Sequence, residues 1–485
     1  MVPNAFWKQA AAKASSPLSL HEYAIKKIAE GTTGYHALQW HQMADGEMIL
    51  SYSSAHKLYQ RQRMTIAKKQ GHWRNLVSDT ALFGLVFGLT NVISYLFVVV
   101  TGRMLLPAEF GVFNALLGLL TMAGAIAGAV QAAVTRAVSQ HADRATFAAL
   151  MRTTWRVAMP VTGMLTVVAI PFASTIGANA TQVILCGAVL LAMIVGVAAI
   201  GFLVGLGKVR AQADLAFLGA IARLVAGWAL MVAGFGASGA LAGYAFNYAL
   251  IFVLAYAMSR RASRRLARPT VGLAPVLRIE VSAVATFVLA FAPYSLDQSM
   301  VQFFNPALGG AYAAVATIAK LAFFVAYPIT AVAYPNLLTQ KTHSKRIKML
   351  AMASTAALFI TSMLTLVIGA YSHEVARIFF GNRFSESAQF LWPLALGVAC
   401  FSLSILGVHA QIAWGGRAGY VPSAITVAAS AILFAFRHDT LGVVVENQVW
   451  VFALQMVLVW SLLALTIARS RSSKNAAPTN SPAGP

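Results

Sequence analysis

The chain contains 485 residues, of which 59% are hydrophobic and only 10% are charged, and its mean hydropathy is +0.71. Soluble globular domains carry about 25% charged residues, so this composition excludes a water-soluble protein and indicates a membrane protein. The formal net charge is +22, from 36 Lys and Arg residues against 14 Asp and Glu residues. We attribute this excess to cytoplasmic loops, which are rich in Lys and Arg, rather than to nucleic-acid binding.

Residues 1–78 form a polar, basic N-terminal extension, and we expect no cleavable signal peptide there. Segments such as Leu18–Ala29 could form short amphipathic helices. Three interpretations remain open for the extension. In the first, the extension lies on anionic lipid through basic residues between Lys57 and Arg74. In the second it is a docking segment for a glycosyltransferase, and in the third it has no fixed role.

Twelve apolar segments follow the extension, each close to the roughly 20 residues that a membrane helix needs. Alternating patterns typical of membrane strands do not occur, so helices are the predicted spanning elements. Cys186 and Cys400 both fall inside apolar segments and predict neither a disulfide nor a metal site. The predicted spans are 80–102, 109–134, 154–174, 181–206, 215–235, 238–258, 281–304, 309–334, 349–371, 388–412, 418–436 and 448–468.

The distribution of basic residues predicts the orientation of these spans. With a cytoplasmic N-terminus, 30 of the 36 Lys and Arg residues fall on the cytoplasmic side and two fall inside spans. Such an asymmetry is a positive-inside signature, and it supports an even number of spans with both termini in the cytoplasm of a cell inner-membrane protein. The four basic residues of the outer loops are Arg103, Arg377, Arg383 and Arg437.

A nine-residue motif occurs at equivalent points of the two six-span halves. The sequence starting at Pro107 and the sequence starting at Pro306, 199 residues later, both read Pro-Ala-x-x-Gly-x-aromatic-x-Ala. Because six is even, the halves run parallel, which predicts an all-α membrane protein with two six-helix halves around a central cavity. The predicted organisation is an extension at 1–78, a first half at 79–258, a basic cytoplasmic linker at 259–280, a second half at 281–468 and a disordered tail at 469–485.

Motifs at the first span resemble a known transporter family. The sequence from Gly102 to Phe113 is similar to the R-x-L-x-P-x-x-F/Y-G signature of Wzx-type polysaccharide flippases. These belong to the multidrug/oligosaccharidyl-lipid/polysaccharide exporter (MOP) superfamily. Asp297, the Gly310-Ala311-Tyr312 sequence and Lys320 resemble the family's seventh and eighth helices. The resemblance covers residues 79–468 and implies transport of a lipid-linked oligosaccharide, usually on undecaprenyl pyrophosphate.

Two charged residues inside the second half are the main candidates for function. Asp297 is the only acidic residue well inside a span, where an unpaired charge costs about 2.5–3.5 kcal/mol even on the insertion scale. We interpret it as an ion-coupling residue. Lys320 in the next span is a candidate for binding an anionic substrate. The structural alternative for both is an ion pair that locks the seventh and eighth spans together, and Lys320 could also extend to the interface.

Four further residues are candidates for substrate binding. Arg223 lies inside the fifth span, where the alternative is a side chain that extends to the cytoplasmic side. Arg103 ends the first span and is equally well explained as a helix-end anchor. The Asn91 amide and the Tyr294 ring are candidates for binding sugar groups of the substrate. The alternative for both residues is a structural role in contacts between helices. No catalytic, cofactor or metal constellation is evident, and the chain lacks a Walker A motif, so we predict no enzyme activity.

The sequence therefore predicts a flippase for a polyprenyl-pyrophosphate oligosaccharide in cell-surface or exopolysaccharide biosynthesis. Its expected partners are this anionic substrate, membrane lipids and, in one interpretation, glycosyltransferases or a polymerase of the same pathway. Two alternatives stay open. One is an ion-coupled drug or cation antiporter of the same superfamily, and the other is a membrane scaffold or enzyme of a polysaccharide pathway.

Overall fold

The computed structural model describes residues 38–42, 48–51, 86, 88–140, 144–264, 266, 281–340, 342–416 and 419–475, in two compact units, Met1–Leu82 and Phe83–Pro485. In the first unit, strands β1 (Leu38–Gln42) and β2 (Met48–Ser51) form an antiparallel pair with Gln39 opposite Ser51. The sequence did not predict this hairpin. The predicted amphipathic segment and the basic residues up to Arg74 lie outside the described residues.

In its described part, the second unit consists of helices joined by short turns and bends. Its helices are α1 (Gly88–Met104), α2 (Pro107–Gln140), α3 (Arg144–Ala169), α4 (Ala180–Gly205), α5 (Val209–Leu230), α6 (Gly236–Ser263), α7 (Val281–Phe304), α8 (Pro306–Ala319), α9 (Leu321–Thr339), α10 (His343–Ala370), α11 (Ser372–Phe380), α12 (Leu391–Ala413), α13 (Tyr420–Phe436) and α14 (Leu441–Asn475). Helical turns at Ile170–Ile176 and Gly381–Phe390 extend α3 and join α11 to α12.

These helices make twelve crossings, which confirms the predicted all-α membrane fold. Eight helical stretches are long and apolar enough to cross a membrane, and α1, α7 and α13 supply three more crossings. The twelfth comes from the longest stretch, Val209–Ser263, which is two helices separated by a π-turn. Gly234 and Gly236 adopt positive φ angles of 88° and 50° there, a conformation that favours glycine and lets the chain reverse direction.

The two halves repeat one packing scheme. In the first half, α4 packs against α2, α3 and α6. In the second half, α12 packs against α9, α10 and α14, which are the equivalent elements six crossings later. This correspondence confirms two parallel six-helix units related by an internal repeat.

Side-chain contacts group the connections between helices onto two faces. Arg383 donates to the Leu105 carbonyl at 3.0 Å, and Asn305 donates to the His438 carbonyl at 2.9 Å, so these connections share one face. We call it the outer face, following the predicted topology. Arg346 donates to the Ala413 carbonyl at the opposite, inner face.

The hydrophobic core is shared by both halves near the outer face and divided near the inner face. The shared core includes Phe113 from the first half and Tyr312 from the second. A separate cluster around Phe202 contains only first-half residues, and another around Leu337 contains only second-half residues. Because each inner cluster is closed on itself, the halves join at the outer face and separate toward the inner face.

The two copies of the repeated motif meet where the halves join. A Cβ atom at Gly111 would lie 2.8 Å from the backbone nitrogen of Gly310, and one at Gly310 would overlap the Pro107 carbonyl oxygen. Below this crossing, Ser299 donates to the Ala115 carbonyl at 2.6 Å. Glycine in the motif therefore permits the backbone contact that seals the outer face.

Candidate functional site

Asp297 and Lys320 form a buried ion pair between α7 and the junction of α8 and α9. Lys320 Nζ lies 2.8 Å from Asp297 Oδ1, with side-chain exposures of 12% and 0%. The second carboxylate oxygen, Oδ2, accepts a hydrogen bond from the Tyr312 hydroxyl at 3.0 Å. The pair predicted as the structural alternative is thus present, and both carboxylate oxygens have partners.

Lys320 is held at a break in its helix. It lies between the two helices, as the C-cap of α8 and the N-cap of α9, and its Nζ also donates to the Tyr294 carbonyl at 2.7 Å. The ammonium lies 4.5 Å from the centre of the Tyr294 ring, which itself stacks on Phe401 with centroids 4.7 Å apart. Lys320 therefore has an ionic, a carbonyl and an aromatic partner in this conformation.

Three carbonyl oxygens of α7 at or near Pro293 accept hydrogen bonds from side chains outside this helix. A proline inside a helix removes one backbone donor and loosens the hydrogen-bond ladder around it. Gln448 and Gln455 of α14 donate to the carbonyls of Pro293 and Ala290, both at 2.9 Å, while Lys320 uses the next carbonyl. These bonds hold the loosened turn of α7, and with it Asp297, in one position.

Arg223 forms a second cationic centre, in the first half. Its side chain, on α5, is buried with 7% exposure, and its guanidinium carbon lies 4.4 Å from the Tyr244 ring centre and 5.4 Å from that of Phe97. Its Nε and Nη2 atoms are buried without a hydrogen-bond acceptor. The alternative of a side chain that extends to the cytoplasmic side is wrong, because α1 and α6 enclose the guanidinium instead.

Glycines allow the rings to approach Arg223. A Cβ atom at Gly227, one helical turn after Arg223, would lie 2.5 Å from the Phe97 ring. A Cβ atom at Gly243 would lie 2.8 Å from the Gly227 Cα, so α5 and α6 touch through their backbones. The small residues bring α1, α5 and α6 together, and the Phe97 and Tyr244 rings then pack against the arginine.

The structure does not bring the remaining candidates to either centre, except for Tyr294. Arg103 is exposed and donates to the Phe379 carbonyl at 2.9 Å and to the Ile378 carbonyl, so it anchors the end of α11. Asn91 is half-buried on α1, and within the described part of the chain no hydrogen bond joins it to either group. The described residues contain no group of His, Cys, Asp and Glu suited to a metal ion.

Sequence reasoning missed Phe97, because one aromatic residue among many in an apolar span gives no signal. It also missed an apolar cavity of about 510 Å³ between α2, α3, α4 and α7, whose lining includes Leu120, Ile176 and Phe303. This cavity contains none of the buried charged residues, so the charged centres and the apolar space are separate features of the protein.

Comparison with solved structures places this architecture among known transporters. The lipid II flippase MurJ in an inward closed conformation matches with a TM-score of 0.62 and 12% identity, over 81% of this chain and 87% of that one. An inward-facing multidrug resistance MATE family transporter of the MOP superfamily matches with a TM-score of 0.57 and 15% identity, over 79% and 96%. The chain has the MOP superfamily fold. This confirms the resemblance at the level of fold.

A third MOP-fold structure differs in its binding pocket. It is a transporter from Pyrococcus furiosus, described as having a pocket of reverse polarity that suggests a different function. It matches with a TM-score of 0.54 and 13% identity, over 81% of this chain and 96% of that one. No protein-family model and no curated protein matches the sequence. Because proteins with this fold can differ in their binding pockets, the fold does not identify the substrate. The charge of the site is therefore the feature from which we infer the substrate class.

Proposed function

We propose that this protein is a flippase that moves a polyprenyl-pyrophosphate oligosaccharide across the cytoplasmic membrane for cell-surface or exopolysaccharide biosynthesis. The MOP fold and its twelve crossings support a transporter. The separation of the two inner clusters supports a conformation that is open to the cytoplasmic side, where such intermediates are assembled.

The sign of the buried charge carries the proposal. Within the described helices, Asp297 is the buried carboxylate and Lys320 already neutralises it, while Arg223 forms no ion pair. The site is consequently net positive, and in a medium of low dielectric constant one uncompensated cation attracts anions strongly. A pyrophosphate head group suits this charge. A cationic drug would require a free carboxylate, so this balance favours the flippase over the antiporter.

The arrangement of the hydrophobic core, shared by both halves near the outer face and divided near the inner face, suits an alternating-access mechanism. The head group binds between the halves from the inner face while the polyprenyl chain stays in the bilayer. Opening of the shared core near Gly111 and Gly310, with closure of the inner clusters against each other, then exposes the head group outside. Asp297 is our candidate for ion coupling, because a cation or proton at its carboxylate would release Lys320 for the substrate.

Deletion of the gene should leave the lipid-linked oligosaccharide accumulated in the inner leaflet. The measurement is cleavage of the intermediate by an added glycosidase, which reaches only outer-leaflet material. We expect protection in the deletion strain and exposure when the wild-type gene is restored. Equal exposure in both strains, with no second flippase to substitute, would contradict the proposal and direct attention to efflux of cationic dyes.

A further inference from the structure

Arg223 differs from the other buried cation in having unused donors. Lys320 is bonded to a carboxylate and a carbonyl, whereas no acceptor contacts Nε or Nη2 of Arg223. A buried charged group without a hydrogen-bond partner carries the full cost of its desolvation. Such a group is explained when a ligand supplies the missing acceptors during the protein's working cycle.

The two unused nitrogens lie side by side on one edge of the guanidinium. Nε–H and Nη2–H are neighbouring, parallel donors, and this edge binds two oxygens of one phosphate or carboxylate at once. The Tyr244 and Phe97 ring centres lie 4.4 and 5.4 Å from the guanidinium carbon and only 5.6 Å from each other, so both rings pack on the same side of Arg223 and hold it in place.

We propose that Arg223, Phe97 and Tyr244 form the site that recognises a phosphoryl group of the lipid-linked substrate. This inference rests on the proposed flippase function and deepens it. It makes the two halves unequal. The first half carries the anion site, while the cation of the second half, at the junction of α8 and α9, is paired with Asp297. An acidic sugar would offer the same oxyanion chemistry, so the test uses a lipid without sugar.

The experiment measures lipid retention by the purified full chain with native mass spectrometry. The probes are polyprenyl pyrophosphate and, as the uncharged comparison, polyprenol of the same length. We expect the wild type to retain the pyrophosphate at a tenfold or more lower concentration than polyprenol, since hydrogen bonds to charged groups are worth about that factor. Arg223→Gln should remove the difference. Arg223→Lys, which keeps the charge but not the paired donors, should lose most of it.

Arg346→Gln is the matched control. Arg346 also lies over an aromatic ring, 5.7 Å from Trp414, but its guanidinium already donates to the carbonyls of Gln340 and Ala413. The control should keep the preference for pyrophosphate.

Two outcomes would overturn the site. If Arg223→Gln and Arg223→Lys both retain pyrophosphate as the wild type does, the anion binds elsewhere. If the wild type retains polyprenyl pyrophosphate no better than polyprenol, the phosphoryl group is not what Arg223 recognises, and an acidic sugar becomes the ligand to test. The glycosidase assay on the deletion strain decides the flippase function independently of either result.

Discussion

Lys320→Met is expected to lower the free energy of unfolding by about 3–5 kcal/mol, because it leaves the Asp297 carboxylate buried without its cation. The Tyr312 hydroxyl at Oδ2 and the Gln298 backbone N–H at Oδ1 would remain as hydrogen-bond donors, but neither carries a positive charge. Denaturant unfolding of the purified protein measures the loss. The matched comparison is Arg437→Met, which breaks an exposed pair with Glu446 at 3.3 Å and should cost no more than about 1 kcal/mol.

The double variant Lys320→Met/Asp297→Leu separates stability from transport. Replacing both partners of a buried pair by apolar residues is often neutral or stabilising, so we expect unfolding to return close to the wild type. Transport should stay impaired if Asp297 couples an ion to substrate movement. A double variant that is stable and transports normally would show that the pair is structural only and that neither residue is part of the transport mechanism.

The membrane fold was largely predictable because the sequence features that indicate it extend over many residues. Apolar segments of about 20 residues and a 30-to-4 asymmetry of basic residues are still recognised when the predicted end of a span is wrong by several residues. Arg103 and Arg383, both predicted in outer loops, do lie on one face with the Leu105 carbonyl and α11. The interruption of the helix at Lys320 was not predictable because no Gly or Pro marks it, and the sequence does not show that Lys320 contacts Asp297 on another helix.

The candidate site was predictable in its residues but not in their roles. A charged residue in a span is conspicuous, so Asp297, Lys320 and Arg223 were all found. Which cation remains free depends on side-chain contacts between helices that are distant in sequence. Lys320 reaches Asp297 across 23 positions, and Phe97 reaches Arg223 through a gap that Gly227 provides. Sequence alone favoured Lys320 as the substrate ligand, whereas the unpartnered nitrogens point to Arg223.

Gly310→Ala is expected to destabilise the closed outer face by about 1–3 kcal/mol or more, the usual cost of overpacking. The added methyl group would overlap the Pro107 carbonyl oxygen, and a helix backbone cannot rotate away as a flexible side chain can. We expect a lower unfolding midpoint and slower transport, because the halves would no longer close against each other. Unfolding and the glycosidase-accessible fraction of substrate measure the two effects.

Gly128→Ala is the matched control on α2, and its expected effect on stability has the opposite sign. A Cβ atom at Gly128 meets nothing within 4 Å, so only the helix preference of alanine remains, worth about 0.5–1 kcal/mol. Gly111→Ala, whose methyl group would lie 2.9 Å from the Gly309 carbonyl carbon, should behave like Gly310→Ala. If Gly310→Ala and Gly111→Ala both match Gly128→Ala in stability and transport, the repeated motif does not seal the outer face.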